Sequence, residues 1–391
     1  MNRTLAASAA FLLAACAGAP PAPPPPVLPP PAPLSAERVG VLAEAAAARA
    51  GAVLYDGGAA VELPDGRTIW TFGDTFFGER GDPGNPDLVR FFGPAGPGDR
   101  LRSIRGAITQ TFLVSTRADY AGAAPGALWL GAPGGPLERG PLVPPPADLP
   151  DQGSLRVWPM HGIHAHGKVL LFYGVVRVLK DAAPPFNFEV LGIGLAIGDP
   201  ETEPLVPWTG PRGWRVFPAD GPAYGAAVLH ADMGITEGFD YVFGTKPGGF
   251  TNQVYVARVP HGEEWKPESW YFHRGGAEAW SPDPKTAVPI FDDAPGDLSV
   301  SWNQHLRRFV AIHSRCFSRE VVMRVSHRPE GPWSAPTVLF TVPPPAAGDR
   351  GFVYGGKEQI GLGEEGGRVL FISAVDSREG VPGVWRVELA R

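Results

Sequence analysis

The stretch Arg67-Thr68-Ile69-Trp70-Thr71-Phe72-Gly73-Asp74-Thr75 decides how the chain is read. Its apolar centre is built from β-branched and aromatic residues, the composition of a half-buried β-strand, and Gly-Asp-Thr then delivers a carboxylate where the regular strand stops. Segments like this centre return at 169–173, 241–244, 309–313 and 369–373, none of them with the aspartate. Each member of the set has a candidate strand before it (59–63, 162–166, 226–230, 298–302, 359–362) and another after it (108–115, 191–197, 253–259, 321–326, 383–389). In the last three copies the second and third strands are centred about 13 residues apart, which suits an antiparallel meander with tight turns. Such a unit cannot bury both of its faces alone, and five of them in a row predict an all-β fold, a five-bladed β-propeller over residues 52–391. On pattern alone a β-sandwich is the rival; the lack of helix-period segments between the units argues against a parallel α/β fold.

The beginning of the chain has a different character. Asn2 and Arg3 precede an apolar run from Leu5 to Ala15 that is shorter than the ~20 residues needed to span a bilayer, so residues 1–15 read as a signal peptide. Leu13-Ala14-Ala15-Cys16 matches the lipobox of bacterial lipoproteins, which implies cleavage before Cys16 and lipidation of that cysteine. An ordinary secretory peptide with an incidental cysteine is the alternative, and both imply export. Residues 16–34 are dominated by Pro, Ala and Gly and predict an extended spacer. Ser35 then offers an N-cap, and Ala-rich residues up to Gly51 predict a short helix over 35–51.

Composition narrows the function classes. A formal charge of −6 with no basic cluster gives nucleic acid no electrostatic footing. With Cys16 lipidated, Cys316 stands alone among the two cysteines, so the exported domain is expected to be held by its core rather than by disulfides. The 51 glycines and 46 prolines accompany 40 Trp, Phe and Tyr residues, which marks punctuated strands rather than disorder.

A family resemblance rests on motifs that occur in order: Tyr55-Asp56-Gly57-Gly58, Trp70-Thr71-Phe72-Gly73-Asp74-Thr75, Trp158-Pro159-Met160-His161-Gly162-Ile163, Tyr241-Val242-Phe243-Gly244-Thr245, Val256-Ala257-Arg258-Val259-Pro260, Leu298-Ser299-Val300-Ser301-Trp302-Asn303 and Gly331-Pro332-Trp333-Ser334-Ala335-Pro336. Together they resemble the bacterial propeller family called domain of unknown function 4185, itself similar to the five-bladed propellers of glycoside hydrolase families 43 and 117. Some members of that family are assigned as endo-acting arabinanases on D-arabinan of bacterial envelopes. Tyr354-Gly355-Gly356-Lys357-Glu358 departs from the family pattern, in which Tyr is followed by His-Pro. The resemblance implies a glycoside hydrolase acting on a polysaccharide; a non-catalytic propeller that binds glycan or a protein partner is the alternative.

In a propeller the start of each first strand shares a rim with the end of the second. Asp56 and Asp74 are therefore expected to meet at one mouth, as the two carboxyl groups that glycoside hydrolysis needs, with Asp297 and Glu358 as further catalytic candidates. His161, Tyr224, Arg177, Arg315 and Tyr354 are expected near the same mouth as substrate-binding residues. The alternative for Asp74 and Asp56 is a purely local turn role, with the carboxylate accepting backbone N–H bonds. No cofactor is required, although a channel Ca²⁺ or other divalent ion on His164 is compatible with the cluster His161-Gly162-Ile163-His164-Ala165-His166. The expected partners are a glycan and, through the N-terminal lipid, a membrane; a monomer is expected. The expected location is the cell envelope, periplasmic or at the cell surface, with Ala17-Gly18 favouring an outer membrane where one exists.

Overall fold

The structure, a computed structural model, describes residues 27–81, 84–93, 95–131, 142–181, 187–231, 234–248, 251–276, 280–344 and 351–390. The expected signal peptide, Cys16 and the first part of the spacer lie outside the described residues.

Antiparallel sheets make up nearly all of the regular structure; among the described residues two short α-helices accompany them, Glu44–Ala50 and Pro86–Phe92. The first sheet orders Gly57–Glu62, Arg67–Phe72, Thr111–Thr116 and Leu128–Leu130. The second orders Leu155–Ala165, Lys168–Val178, Phe188–Gly198 and Val206–Pro207. In the third, Ala223–Leu229, Phe239–Pro247 and Asn252–Pro260 continue into the short strands Tyr271–His273 and Trp280–Ser281, while Phe291–Asp292 pairs with Asn252–Pro260. The fourth orders Ser299–Asn303, Arg308–Ser314, Glu320–Ser326 and Thr337–Thr341, and the fifth Val353–Glu358, Val369–Asp376 and Pro382–Leu389. A separate sheet pairs Ala52–Leu54, which precedes the first unit, with Thr75–Arg80 and Leu101–Ile108, two strands inserted between the second and third strands of that unit, where the repeat was widest in sequence.

The first strands of the five sheets touch one another in sequence order, and the last touches the first, so the inner strands close a ring around a channel. Consecutive sheets share apolar clusters. Val61, Ile69, Phe112 and Val114 pack against Leu171, Tyr173 and Val175 of the second sheet. Phe172 and Leu195 pack against Tyr224 and Val242 of the third, and Val300 and Phe309 of the fourth against Ala226 and Phe243. Val310 and Ile312 meet Leu370 and Ile372 of the fifth. This is why the second strands read as near-continuous apolar runs: both faces are covered by neighbouring sheets. Between the fifth and first sheets the buried Gln359 accepts from Trp70 Nε1 (2.8 Å) and donates to Gly58 O (2.7 Å) and Ser373 Oγ (2.9 Å).

Two expectations change. The first strand of the fifth unit lies at Val353–Glu358, not at 359–362, where a turn of 3₁₀-helix runs instead. The helix expected over 35–51 is confined to Glu44–Ala50, because Pro33–Val41 is a β-strand paired antiparallel with Pro382–Leu389. Local alanine content favours helix, but an unpaired strand edge offers a run of backbone hydrogen bonds, and tertiary pairing overrides propensity. The last part of the expected spacer also docks: Thr337 Oγ1 donates to Pro30 O (3.0 Å), and Val27 packs beside the fourth and fifth sheets.

Candidate active site

The open end of one hairpin builds the acidic centre. Gly57 pairs with Phe72, so Asp56 and Gly73 stand side by side just beyond the ladder, and the Gly73 N–H donates to Asp56 O at 2.8 Å. A Cβ on Gly73 would lie 2.4 Å from Asp56 Oδ1, so glycine is what lets the carboxyl occupy this place. Gly57 takes a φ of 93°, a region that costs a larger residue energy, and this turns the chain sharply out of Asp56 into the strand. Asp74 follows Gly73 directly. Its Oδ1 accepts from Trp158 Nε1 (3.1 Å) on the second sheet, while the turn itself is held by Thr75, whose Oγ1 bonds Gly73 O (3.0 Å) and Thr111 Oγ1 (2.9 Å). The bond made by the Asp74 side chain thus runs across sheets, not within its own turn.

The fifth sheet brings Tyr354, whose hydroxyl donates to Asp56 Oδ2 at 3.2 Å. Asp297, at the end of the loop entering the fourth sheet, is ion-paired with Lys357 Nζ at 2.9 Å. Asp56 feels the charges of Asp74, Asp297 and Lys357, so the three aspartates form one electrostatic group.

Burial raises the Asp56 carboxyl to about 7, helped by the negative charges of Asp74 and Asp297 and opposed by Tyr354 and Lys357. Burial raises Asp74 to about 6, against the pull of the Trp158 hydrogen bond and the positive Arg156. Two neighbouring carboxyls of unequal acidity can divide the roles of proton donor and ionised base, Asp56 keeping its proton longer.

The remaining expected residues are dispersed. Glu358 is four residues beyond Tyr354, on the order of 10 Å along the strand; Ser301 Oγ donates to its Oε2 at 2.5 Å, and burial raises it to about 7. It lines a channel cavity of about 300 Å³ with His161, His164, His230 and Trp302. His161 has both ring nitrogens engaged: Nδ1 accepts from the Val228 N–H (2.8 Å), so Nε2 carries the proton to Ala60 O (2.9 Å). It ties three inner strands together, and burial with the nearby Lys357 pushes it down to about 4. Tyr224 is a correction: it is buried between the second and third sheets against Phe217 and Phe272, away from the mouth, because the alternation of its strand turns it into the core. Arg177 pairs with Glu189 (2.6 Å) across its hairpin, and Arg315 with Asp293 (2.6 Å) and Glu320 (2.9 Å), so both guanidinium groups are spent on local carboxylates.

The channel ion fits poorly. With both nitrogens of His161 used, His164 has no second free ligand from its own cluster, and among the described residues the ligating groups that converge in threes centre on His261, behind the cavity lining, with His230 shared between the two. Sequence reasoning did not single out Arg156, whose charge reaches Asp74, or Lys357, which neutralises Asp297. Lys357 stood in the departure from the family pattern; nothing local marks Arg156.

Residues 214–361 match the model of a family described as Domain of unknown function (DUF4185). A comparison with curated protein sequences finds no match. Among solved structures, the chain is similar to a putative hydrolase from Bacteroides ovatus ATCC 8483, with 17% identity, a TM-score of 0.57 and 86% of each chain covered. It also aligns with a GH43_1 enzyme from Xanthomonas citri complexed with xylotriose, at 16% identity and a TM-score of 0.46, covering 90% of this chain and 91% of that one. An exo-β-1,3-galactanase from Phanerochaete chrysosporium aligns at 9% identity and a TM-score of 0.47, covering 91% of this chain and 67% of that one. The Bacteroides structure has the same overall fold.

Proposed function

We propose that this chain is a five-bladed β-propeller glycoside hydrolase, carried on an exported lipoprotein and acting on an envelope or environmental polysaccharide, arabinan-like glycans included. The observation that carries the reading is the adjacency of Asp56 and Asp74 at the open end of one hairpin, the first raised to about 7 and the second to about 6. A glycosidic oxygen is a weak leaving group until protonated, and a second carboxylate must activate water or attack the sugar. Asp56 is the proton donor and Asp74 the ionised partner, with Tyr354 and Trp158 orienting them. The five blades are the five sheets that share the inner ring, and Pro33–Val41 closes the last of them. The lipid on Cys16 and the spacer would hold this ring at a membrane surface.

The test is a panel of polysaccharides, with arabinans included, assayed for new reducing ends with the full-length protein and with D74N. Product from the wild type and none from the variant supports the reading. Binding of a glycan without product from any member of the panel overturns it in favour of a glycan-binding propeller.

A further inference from the structure

At the other rim of the channel, two histidines and two buried acids converge. Ala60, His161 and Val228 mark one level of the inner ring, and Asp56 lies before that level while His230 lies beyond it. His230 follows the strand Ala223–Leu229, Asp240 lies in Phe239–Pro247, and His261 and Glu264 follow Asn252–Pro260, so the site belongs to the third sheet.

Asp240 is fully buried: its Oδ1 accepts from the Ala231 N–H (2.6 Å) and faces His230 Nδ1 (3.0 Å), while its Oδ2 faces His261 Nδ1 (3.0 Å). Glu264 is 2% exposed; its Oε1 accepts from the Gly262 N–H (2.6 Å) and lies 3.3 Å from the same His261 Nδ1. A single Nδ1 proton cannot serve both acids fully, and Glu264 Oε2 is buried with no hydrogen-bond partner among the described residues. Burying an acid beside another acid is costly unless a cation or a proton compensates. The ligand atoms of His230, Asp240 and His261 lie within 4.8 Å of one another, and His166, His261 and Glu264 form a second such group. His166, in the turn after Leu155–Ala165 of the second sheet, stacks on the His261 ring with centroids 5.4 Å apart.

We propose that His230, Asp240 and His261, with Glu264 as a fourth donor, bind a divalent transition metal of the Zn²⁺ class at this rim. Donor atoms held about 2.0–2.1 Å from a tetrahedral zinc stand roughly 3.3 Å apart, close to the separations of 3.0 and 3.3 Å found here. Imidazole with carboxylate donors suits zinc rather than the all-oxygen preferences of Ca²⁺ or Mg²⁺. Binding takes each imidazole as the neutral tautomer protonated at Nε2, so a proton on Nδ1 moves to Nε2 through solvent, and it pairs a dication with two acids that otherwise repel. The metal would clamp the end of the third sheet's inner strand to the loop after its third strand, far from Asp56 and Asp74.

The experiment uses full-length protein without a polyhistidine tag, stripped with chelator and titrated with Zn²⁺ by calorimetry. H230Q and H261Q, both at exposed rings, are carried in parallel, with unfolding temperatures measured with and without metal. One Zn²⁺ per chain is expected, with a rise in Tm of several degrees, a tenfold or greater loss of affinity in each variant and no Tm response in either. Stripped variants that keep the wild-type Tm show that lost binding is not lost folding. Absence of stoichiometric Zn²⁺ binding by the wild type, or unchanged binding in H230Q and H261Q, overturns the proposal.

Discussion

The Tyr354 hydroxyl donates to Asp56 Oδ2 across 298 positions of sequence, joining the start of the fifth sheet's inner strand to the start of the first. That one bond crosses the place where the ring closes, so the acid at the mouth is sensitive to how well the ends of the chain are joined. It also stabilises the ionised form of Asp56. Y354F is therefore expected to move the Asp56 titration upward, measured as an upward displacement of the upper limb of the pH–rate profile; an unmoved limb would show that Asp56 is not the proton donor.

Asp74 bonds Trp158 and not its own turn. Replacement by Asn keeps the shape and the acceptor but removes the charge. D74N is expected to lower hydrolysis by about 10²–10⁴-fold while its thermal transition stays within a few degrees of wild type. A collapse of the transition would return Asp74 to a structural role.

Stability and function oppose each other at Asp56. Its folded value is about 7 against an ordinary 3.8, so over that interval the native state holds a proton that the unfolded chain has released. The stability this group contributes is present below the lower value and is lost as pH rises to about 7. D56N removes the loss, so its urea midpoint relative to wild type should be higher at pH 8 than at pH 4. An equal difference at the two pH values would count against a raised Asp56.

Two buried imidazoles act in the opposite direction. His161 and His313 are pushed down to about 4 by burial, so the unfolded chain binds protons between about 6.5 and 4 that the native state refuses. Their contribution is intact above about 6.5 and is lost as pH falls towards 4. H161Q is expected to be less stable at neutral pH, having lost a strand-bridging pair of bonds, yet to show a shallower decline on acidification in chemical unfolding.

Gln359 satisfies three groups between the first and fifth sheets. Q359L leaves the Trp70 N–H and the Gly58 carbonyl buried without partners, at roughly 2–4 kcal/mol in equilibrium unfolding. A cost under about 0.5 kcal/mol would mean that this seam can admit water or repack.

The order of strands was legible because it rests on local physics. Ile69, Trp70 and Phe72, and their counterparts such as Phe309 to Ile312, are apolar on both faces since sheets cover both, and such runs stand out from turns rich in Gly and Pro. The meeting of Asp56 with Asp74 was legible for a similar reason: it follows from the register of one hairpin. The site beyond that pair was not. Tyr354 reaches Asp56 because a ring closes, whereas Tyr224 faces the core because of its place in the pleat.

The sequence by itself determined the repeat, the five apolar second strands and the Gly-Asp-Thr turn that follows the first of them. Tertiary structure decided the rest. It turned Pro33–Val41 from an Ala-rich helix candidate into the outer strand of the fifth sheet, because a distant edge supplied backbone partners that local propensity could not outweigh. It spent Arg177 and Arg315 on Glu189, Asp293 and Glu320. It also gathered His230, Asp240, His261 and Glu264 from the end of one strand, the start of the next and the loop after the third, since which side chains share a few ångströms depends on how strands and turns pack, and no spacing along the chain records it.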